Sequence, residues 1–190
     1  MNTLGRLQLL TSQMHLEPAE DALCPKISPR KQDEVYISSA ALPNGRRISM
    51  LKTLLTSACE RNCNYCPFRA GRDMRRATFK PDEFARVFMY LHKSGAVEGI
   101  FLSSGVVNGG IRTQDQLLAT AEILRRKYQY QGYLHLKIMP GVEIAQVEQA
   151  MLLADRVSIN LEAPNDARLQ KLAPKKQFMD ELMQDRKSVV

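Results

Sequence analysis

Three cysteines within eight residues carry the strongest chemical signal in the sequence. Cys59, Cys63 and Cys66 are separated by three and then two residues, in the run CERNCNYC. Closely spaced thiols of this kind are typical of metal binding rather than of disulfide formation. Three thiolates in one short loop can hold three corners of an iron–sulfur cluster and leave the fourth iron without a protein ligand. A small molecule can chelate that open iron, so the spacing predicts a cluster that also binds a ligand.

Two other interpretations of the cysteines remain open. A structural zinc ion could be held by the same three thiolates with Cys24 as the fourth ligand, although zinc sites more often pair two closely spaced cysteine knuckles. Cys63 and Cys66 could instead form a redox-active pair. Cys24 is isolated in the sequence, and we expect it to be a buried thiol.

Strands alternating with helices must position this cysteine loop. Four runs rich in aliphatic and β-branched residues predict strands, at residues 48–57, 98–103, 133–139 and 156–162. Helical periodicity follows each of them, with Pro81 at the start of the first helix and a capping box of Thr113 and Gln116 at the start of the second. This order predicts an α/β fold with a parallel sheet and about four βα units.

Polar and aliphatic residues alternate along the third and fourth predicted strands. His135 and Lys137 share one face of the third strand, as Asn160 and Glu162 share one face of the fourth. A flat doubly wound sheet is apolar on both faces, so the pattern favours a curved sheet whose polar face lines a cavity. Barrel-like βα folds place their chemistry at the carboxyl ends of the strands, where Lys137, Asn160 and Glu162 fall. Lys137 and Glu162 could alternatively neutralise each other, and His135 is expected to be an interior histidine.

Composition and length set the class of protein. The chain has 190 residues, of which 44% are hydrophobic and 25% charged, and this excludes a disordered chain. It contains no apolar stretch of about 18 residues and no recognisable signal peptide, so we expect a cytoplasmic protein without membrane contact. We divide it into residues 1–47, a short helix over 1–16 with an irregular lead-in, and residues 48–190, the βα core.

A basic segment follows the cysteine loop. The formal net charge of the chain is +7, and residues 69–80 hold five basic residues against Asp73. Such a segment can bind the phosphates of a nucleic acid or of a phosphorylated small molecule, or it can be a solvated loop that balances an anionic cluster. The basic residues are Arg69, Arg72, Arg75, Arg76 and Lys80.

The cysteine loop, directly after the first predicted strand, resembles the signature of the radical S-adenosylmethionine (radical SAM) superfamily. The resemblance implies a partial (β/α) barrel and a 4Fe–4S cluster on Cys59, Cys63 and Cys66. It also implies that the free iron binds the amino and carboxylate groups of S-adenosyl-L-methionine. An electron from an external donor then cleaves that molecule to a 5′-deoxyadenosyl radical, which abstracts hydrogen from the substrate of an enzyme.

The resemblance also implies which residues bind this cofactor. Tyr65 matches an aromatic position whose backbone approaches the adenine, and Lys137 is placed to pair with the methionyl carboxylate. Asn160 and Glu162 are implied to hydrogen-bond the ribose or the amine. The stretch Ser103, Ser104 and Gly105 stands where the family commonly has Gly-Gly-Glu, so hydroxyl and carbonyl oxygens replace a carboxylate opposite the amine.

Longer runs are similar to one narrower group within that superfamily. These runs are residues 66–72, 101–105, 135–141 and 158–162, and the similarity extends over about residues 35–180. The group consists of bacterial radical SAM proteins linked to a uracil-DNA glycosylase-like protein and assigned to DNA modification or repair. It implies a nucleic-acid substrate. The alternative from a different class is a nucleic-acid-binding module stapled by zinc or an iron–sulfur cluster, without catalysis.

The number of βα units suggests an incomplete barrel. Cores of the resembling superfamily usually have about six βα units, whereas this sequence predicts four, so we expect the C-terminal units to be missing and the core to be truncated. The fourth strand would then be an open sheet edge, and unpaired edges promote pairing with another chain. We therefore expect self-association along that edge, or a partner chain that supplies the remaining strands.

Overall fold

The fold is organised around one mixed sheet. The computed structural model describes residues 1–16, 30–32, 35–42 and 45–177. The strands are β1 (Arg30–Gln32), β2 (Val35–Ala41), β3 (Arg47–Leu54), β4 (Gly99–Ser103), β5 (Tyr133–Lys137) and β6 (Arg156–Ser158). The helices are α1 (Thr3–Ser12), α2 (Pro81–Lys93), α3 (Gly110–Glu122), α4 (Ile144–Leu153) and α5 (Asp166–Leu172), with a 3₁₀ turn at Gln13–Leu16 and a π turn at Ile123–Lys127.

The strands lie in the sheet in the order in which they occur in the chain. β3, β4, β5 and β6 are parallel, and α2, α3 and α4 connect them in turn. The register aligns Lys52, Phe101 and His135 on the first three of these strands. The four parallel strands confirm the predicted series of βα units.

Aliphatic side chains fill the space between the parallel strands and their helices. Leu51, Ile100 and Leu134 are fully buried on consecutive strands, as are Phe84 and Leu117 on α2 and α3. Burial of each such side chain contributes about 2 kcal/mol of hydrophobic free energy. The alternate residues of β3, β4 and β5 face the opposite side of the sheet, as the polar and aliphatic alternation predicts. None of the described helices is long and apolar enough to cross a membrane.

The N-terminal part of the chain extends the sheet. α1 forms in the region predicted to be helical, and it buries Leu7 and Leu10 while Leu4 is exposed. β2 pairs antiparallel with β3, and β1 pairs antiparallel with β2. Residues 30–32, predicted to be irregular, therefore form a strand, because their backbone groups find partners on β2. The rest of the predicted lead-in, residues 17–29 and 33–34, lies outside the described residues.

Two predicted boundaries are corrected. β6 ends at Ser158, so Asn160 and Glu162 lie in the loop that follows the strand rather than on it. α3 begins at Gly110 after an N-cap at Gly109, one turn before the predicted capping box. The Thr113 hydroxyl instead donates to the carbonyl oxygen of Gly109 at 2.8 Å, within the helix.

Candidate cofactor site

A cavity of about 790 Å³ opens at the carboxyl ends of the parallel strands. Leu54, Ser103 and Lys137, at or near the ends of β3, β4 and β5, form its floor. All ten described residues to which the sequence analysis assigns a metal or cofactor role line this cavity: Cys59, Cys63, Tyr65, Cys66, Ser103, Ser104, Gly105, Lys137, Asn160 and Glu162.

Backbone hydrogen bonds hold the cysteine loop over this cavity. The loop begins as the chain leaves β3, and its Glu60 N–H donates to the Val106 carbonyl at 2.9 Å, beyond the end of β4. The Glu60 carboxylate accepts the N–H groups of Asn108 at 2.9 Å and Gly109 at 3.0 Å. These hydrogen bonds therefore join the first two βα connections to each other without a cofactor.

Gly105 permits the close approach of these two connections. A Cβ atom at Gly105 would lie 2.1 Å from the carbonyl oxygen of Ala58, which no side chain can tolerate. The Gly105 N–H also donates to the Thr56 carbonyl at 2.7 Å. A glycine is therefore required here so that the Ser103–Gly105 stretch can pack against the start of the cysteine loop.

Lys137 and Glu162 do not pair with each other. The Lys137 ammonium donates to the Asn160 side-chain oxygen, whereas the Glu162 carboxylate lies 2.6 Å from the ammonium of Lys176. This arrangement corrects the alternative in which Lys137 and Glu162 neutralise each other. Lys176, also a cavity residue, was not foreseen, because it lies after α5 and carries no pattern that links it to Glu162.

Tyr65 reaches from the cysteine loop to the same carboxylate. The side chain is half-exposed, and it lines the cavity wall together with Glu162. Burial of the hydroxyl and the nearby Glu162 carboxylate raise the pKa of Tyr65 well above its usual range. Glu162 itself has a φ of +62°, a left-handed conformation that costs a non-glycine residue about 1 kcal/mol. The fold keeps this strained residue beside Tyr65 and Lys176.

His135 lies deeper than the cavity, as predicted for an interior histidine. Its Nε2 atom is 2.8 Å from the Ser158 hydroxyl, and its ring packs edge-on against Phe101. Burial first, and then nearby positive charges, lower the pKa of His135 to about 3. These charges belong to Arg156, Lys137 and Lys52.

Arg76 holds together the long connection that carries the cysteines. Its guanidinium donates to four backbone carbonyls, those of Ser57, Phe68, Arg69 and Arg72. Although Arg76 belongs to the basic segment, it therefore stabilises the connection that carries the cysteines. The more exposed part of the segment is Arg72, Arg75 and Lys80, while Arg69 is half-buried and donates to Asn64 at 3.1 Å.

Comparison with known protein families identifies the chain. The model of the Radical SAM superfamily matches residues 53–184, which include the end of β3, the cysteine loop and the parallel strands β4, β5 and β6. The chain belongs to the radical SAM superfamily. A comparison with curated proteins finds no match.

Two solved structures resemble the fold of this chain. Methylornithine synthase (PylB) matches with a TM-score of 0.59 and 13% identity, over 73% of this chain and 40% of its own. The FeFe-hydrogenase maturase HydG from Carboxydothermus hydrogenoformans matches with a TM-score of 0.57 and 20% identity, over 74% and 33%. At these identities the likeness concerns the fold alone. The chain spans well under half the length of either protein.

The thiols fit the cluster that radical SAM proteins generally use. None of the three forms a disulfide within the described residues, and Cys63 is buried while the other two are half-buried on the wall of one cavity. Burial raises the pKa of Cys63, while the nearby Lys176 ammonium lowers it. No three His, Cys, Asp or Glu side chains in the described residues form a cage for a single ion. A cubane cluster requires a different arrangement, in which each thiolate binds its own iron.

Cys24 and the alternatives that involve it are not tested by this geometry. Cys24 lies outside the described residues, so the proposed zinc site has no fourth ligand to examine. The soft donor set of three thiols near an ammonium group is compatible with an anionic iron–sulfur cluster.

Proposed function

We propose that this chain binds a 4Fe–4S cluster through Cys59, Cys63 and Cys66 and presents S-adenosyl-L-methionine to it within the 790 Å³ cavity. The observation that carries the proposal is that the three thiols and the seven candidate cofactor residues line one cavity. When bound, a reduced cluster supplies the electron that cleaves the sulfonium of S-adenosyl-L-methionine and starts radical chemistry.

The polar residues of the cavity suit the groups of such a ligand. Lys137 carries a positive charge at the carboxyl end of β5, where it can bind a carboxylate, and Asn160 holds its ammonium group in place. Ser103 and Ser104 offer hydroxyl and carbonyl oxygens to an ammonium group. Glu162 is the carboxylate of the cavity wall, available to a ribose hydroxyl or to the amine.

The apolar residues of the cavity would keep water from the reacting atoms. Leu54, Val106, Ile138 and Met139 line the cavity between its polar groups. Exclusion of water strengthens the electrostatic interactions within a site and suppresses side reactions. In our proposal, further βα units, from the same polypeptide or a partner, complete this enclosure, and an external donor provides the electron.

Anaerobic reconstitution tests the cluster. We expect the chain to take up about four irons with a broad brown absorbance, and Cys59→Ala, Cys63→Ala or Cys66→Ala each to abolish that uptake. Cys24→Ala, the matched control, should leave it intact. Stoichiometric zinc without iron uptake would instead favour the metal-stapled binding module.

Isothermal titration of the reconstituted protein tests the cavity. Lys137→Ala should weaken binding of S-adenosyl-L-methionine about tenfold, because a charge-assisted hydrogen bond to the carboxylate is lost, while the iron content stays unchanged. Lys93→Ala, which removes an exposed lysine of α2, is the control. Equal affinity in both variants would mean that Lys137 has only an architectural role.

We also propose a nucleic acid as the partner, on the basis of a basic surface beside the cavity. The exposed Lys171 and Lys175 belong to a segment whose carbonyls accept hydrogen bonds from Asn64 and Arg61 of the cysteine loop. The fold thus brings these lysines to the loop that also carries Arg69. Two distant segments contribute to one positive surface, which suits a phosphate backbone.

Salt dependence tests this second proposal. Binding of single-stranded or duplex DNA should weaken with salt, and Arg72→Gln combined with Lys175→Gln should reduce the log–log slope by about 0.7 to 0.9 for each lost contact. Arg47→Gln, at the opposite end of β3, should leave the slope unchanged. Binding of a phosphorylated small molecule alone, or no binding at low salt, would contradict the proposal.

A further inference from the structure

Glu162 and Lys176 form a buried ion pair at the wall of the cavity. Their charged groups lie 2.6 Å apart, and the side chains are only 8% and 9% exposed. A buried pair of this kind loses much of its Coulombic gain to desolvation, so stability alone is a weak reason to keep it. The strained backbone of Glu162 adds to this cost. Such a costly arrangement suggests that the ion pair positions neighbouring parts of the cavity wall.

The segment that carries Lys176 also holds the cysteine loop. The Asn64 N–H donates to the Leu172 carbonyl at 2.6 Å, and the Asn64 side-chain amide donates to the Lys171 carbonyl at 2.8 Å. The Arg61 guanidinium donates to the Lys175 carbonyl. The last carbonyls of a helix have no intrahelical donor, so the loop supplies the partners that α5 needs at its C-terminal end.

A small apolar cluster supports these polar contacts. Cys63 packs with Ala163, Leu169 and Ala173, which come from the loop after β6 and from α5. The thiol of the central cysteine is therefore covered by the same segment to which the loop is bonded. Tyr65 of the loop lies on the same cavity wall as Glu162 and Lys176.

We propose that Lys176 is a positioning residue, which acts through Glu162 to lock the cysteine loop against residues 171–176 before any cofactor binds. The ammonium group fixes the Glu162 carboxylate beside Tyr65, which lies between Cys63 and Cys66. The segment that carries Lys176 is hydrogen-bonded to Asn64 and Arg61 of the loop. The effect of Lys176 on cofactor binding rests on the proposed function. The lock itself is a property of the metal-free chain.

Hydrogen exchange of the metal-free protein, followed by mass spectrometry of peptides from residues 59–70, tests the lock. Lys176→Met should speed exchange of these amides about tenfold, since the loop opens more often once Glu162 loses its partner. Lys176→Arg keeps the charge and should restore most of the protection. Lys175→Met is the matched control, because only the backbone carbonyl of Lys175 contacts the loop.

A double variant keeps the test decisive if Lys176→Met fails to fold. Glu162→Gln with Lys176→Met leaves no unpaired buried charge, so the chain should fold while its cysteine loop still exchanges rapidly. Wild-type protection of residues 59–70 in a folded Lys176→Met or double variant would overturn the proposal, because packing alone would then hold the loop.

Release of iron to a chelator is the second measurement. In reconstituted protein, Lys176→Met should lose iron about tenfold faster than Lys175→Met, although the three cysteines are intact. If the wild-type chain takes up no cluster but the exchange result holds, the proposed function fails and the lock stands. If the cluster binds and Lys176→Met changes neither exchange nor iron release, the lock fails alone.

Discussion

His135 is buried in a position that strongly disfavours its charged form. It faces Lys52 on β3, Lys137 on its own strand and Arg156 on β6, and the ring of Phe101 covers it. Burial and these three positive charges lower the pKa of His135 to about 3. The histidine therefore stays neutral in the folded chain at pH values where an unfolded chain binds a proton.

The pH dependence of folding should report this residue. Between pH 6.5 and the pKa of about 3, the unfolded chain binds one more proton at His135 than the folded chain, so stability falls as the pH falls. We expect this residue to account for a loss of roughly 2 kcal/mol between pH 7 and pH 5. Urea unfolding of the metal-free protein at both pH values measures the loss.

Two variants separate this effect from general acid sensitivity. His135→Gln keeps a polar partner for Ser158 and should remove most of the extra loss at low pH. His92→Gln is the comparison, because His92 lies half-buried on α2, outside the polar interior of the sheet. An unchanged pH dependence in His135→Gln would show that His135 does not control acid stability.

Sequence alternation was sufficient to predict that Lys137 faces the cavity, but not its partners. Lys137 follows directly from the period of two along a strand whose other face is aliphatic, whereas Ser103 followed only from the family resemblance. Lys176 and Arg76 bind their partners through tertiary contacts. Lys176 pairs with Glu162, 14 positions away, and Arg76 binds carbonyls up to 19 positions away. No local pattern specifies such pairs, so the sequence analysis missed the first and assigned the second to a surface.

At the scale of elements, the connection from β3 to α2 depends on one side chain. Residues 57–77 contain no helix or strand, and Arg76 binds four of the carbonyls in this stretch. A charged donor to several carbonyls fixes the course of the chain where no regular hydrogen-bond ladder can.

Replacing Arg76 should therefore destabilise the whole domain. Arg76→Met removes all four hydrogen bonds and should lower the free energy of unfolding by about 3 kcal/mol. The neighbouring Arg75→Met removes an exposed side chain and should change it by less than about 0.5 kcal/mol. Denaturant titrations followed by circular dichroism give both values. Equal stability of the two variants would mean that water or other donors replace the guanidinium.

Elements with a strong periodic pattern were predictable, and those that depend on tertiary pairing were not. α2 begins at Pro81 as predicted, because proline suits the first position of a helix and Phe84 and Phe88 follow on one face. β1 and β2 exist because β3 offers a partner, and β6 is short because only three of its residues pair with β5. The local sequence does not specify strand pairing of this kind.

For the whole molecule, β6 is the edge at which association is expected. In the part of the chain that the structure describes, β6 pairs with β5 only. α4, beside it, exposes Ile144 at 58%, Met151 at 46% and Leu152 at 87%. An unpaired strand beside an exposed apolar surface favours contact with another chain.

Sedimentation velocity over a range of concentrations tests this expectation. We expect the chain to self-associate reversibly, and Met151→Glu with Leu152→Glu should shift it towards the monomer by adding charge to the apolar surface. Tyr90→Glu, at an exposed position of α2, is the control. A monomer at all concentrations, or an equal shift from the control, would contradict the prediction.

The antiparallel pairing of β2 with β3 limits where further strands can be added to the sheet. Because β2 occupies the other side of β3, another parallel strand cannot dock there, and a βα unit that continues the parallel series joins at β6. The sheet can curve into a trough but cannot close into a ring through β3. A trough of this kind is entered from the side along its open edge, whereas a closed ring is entered through its ends.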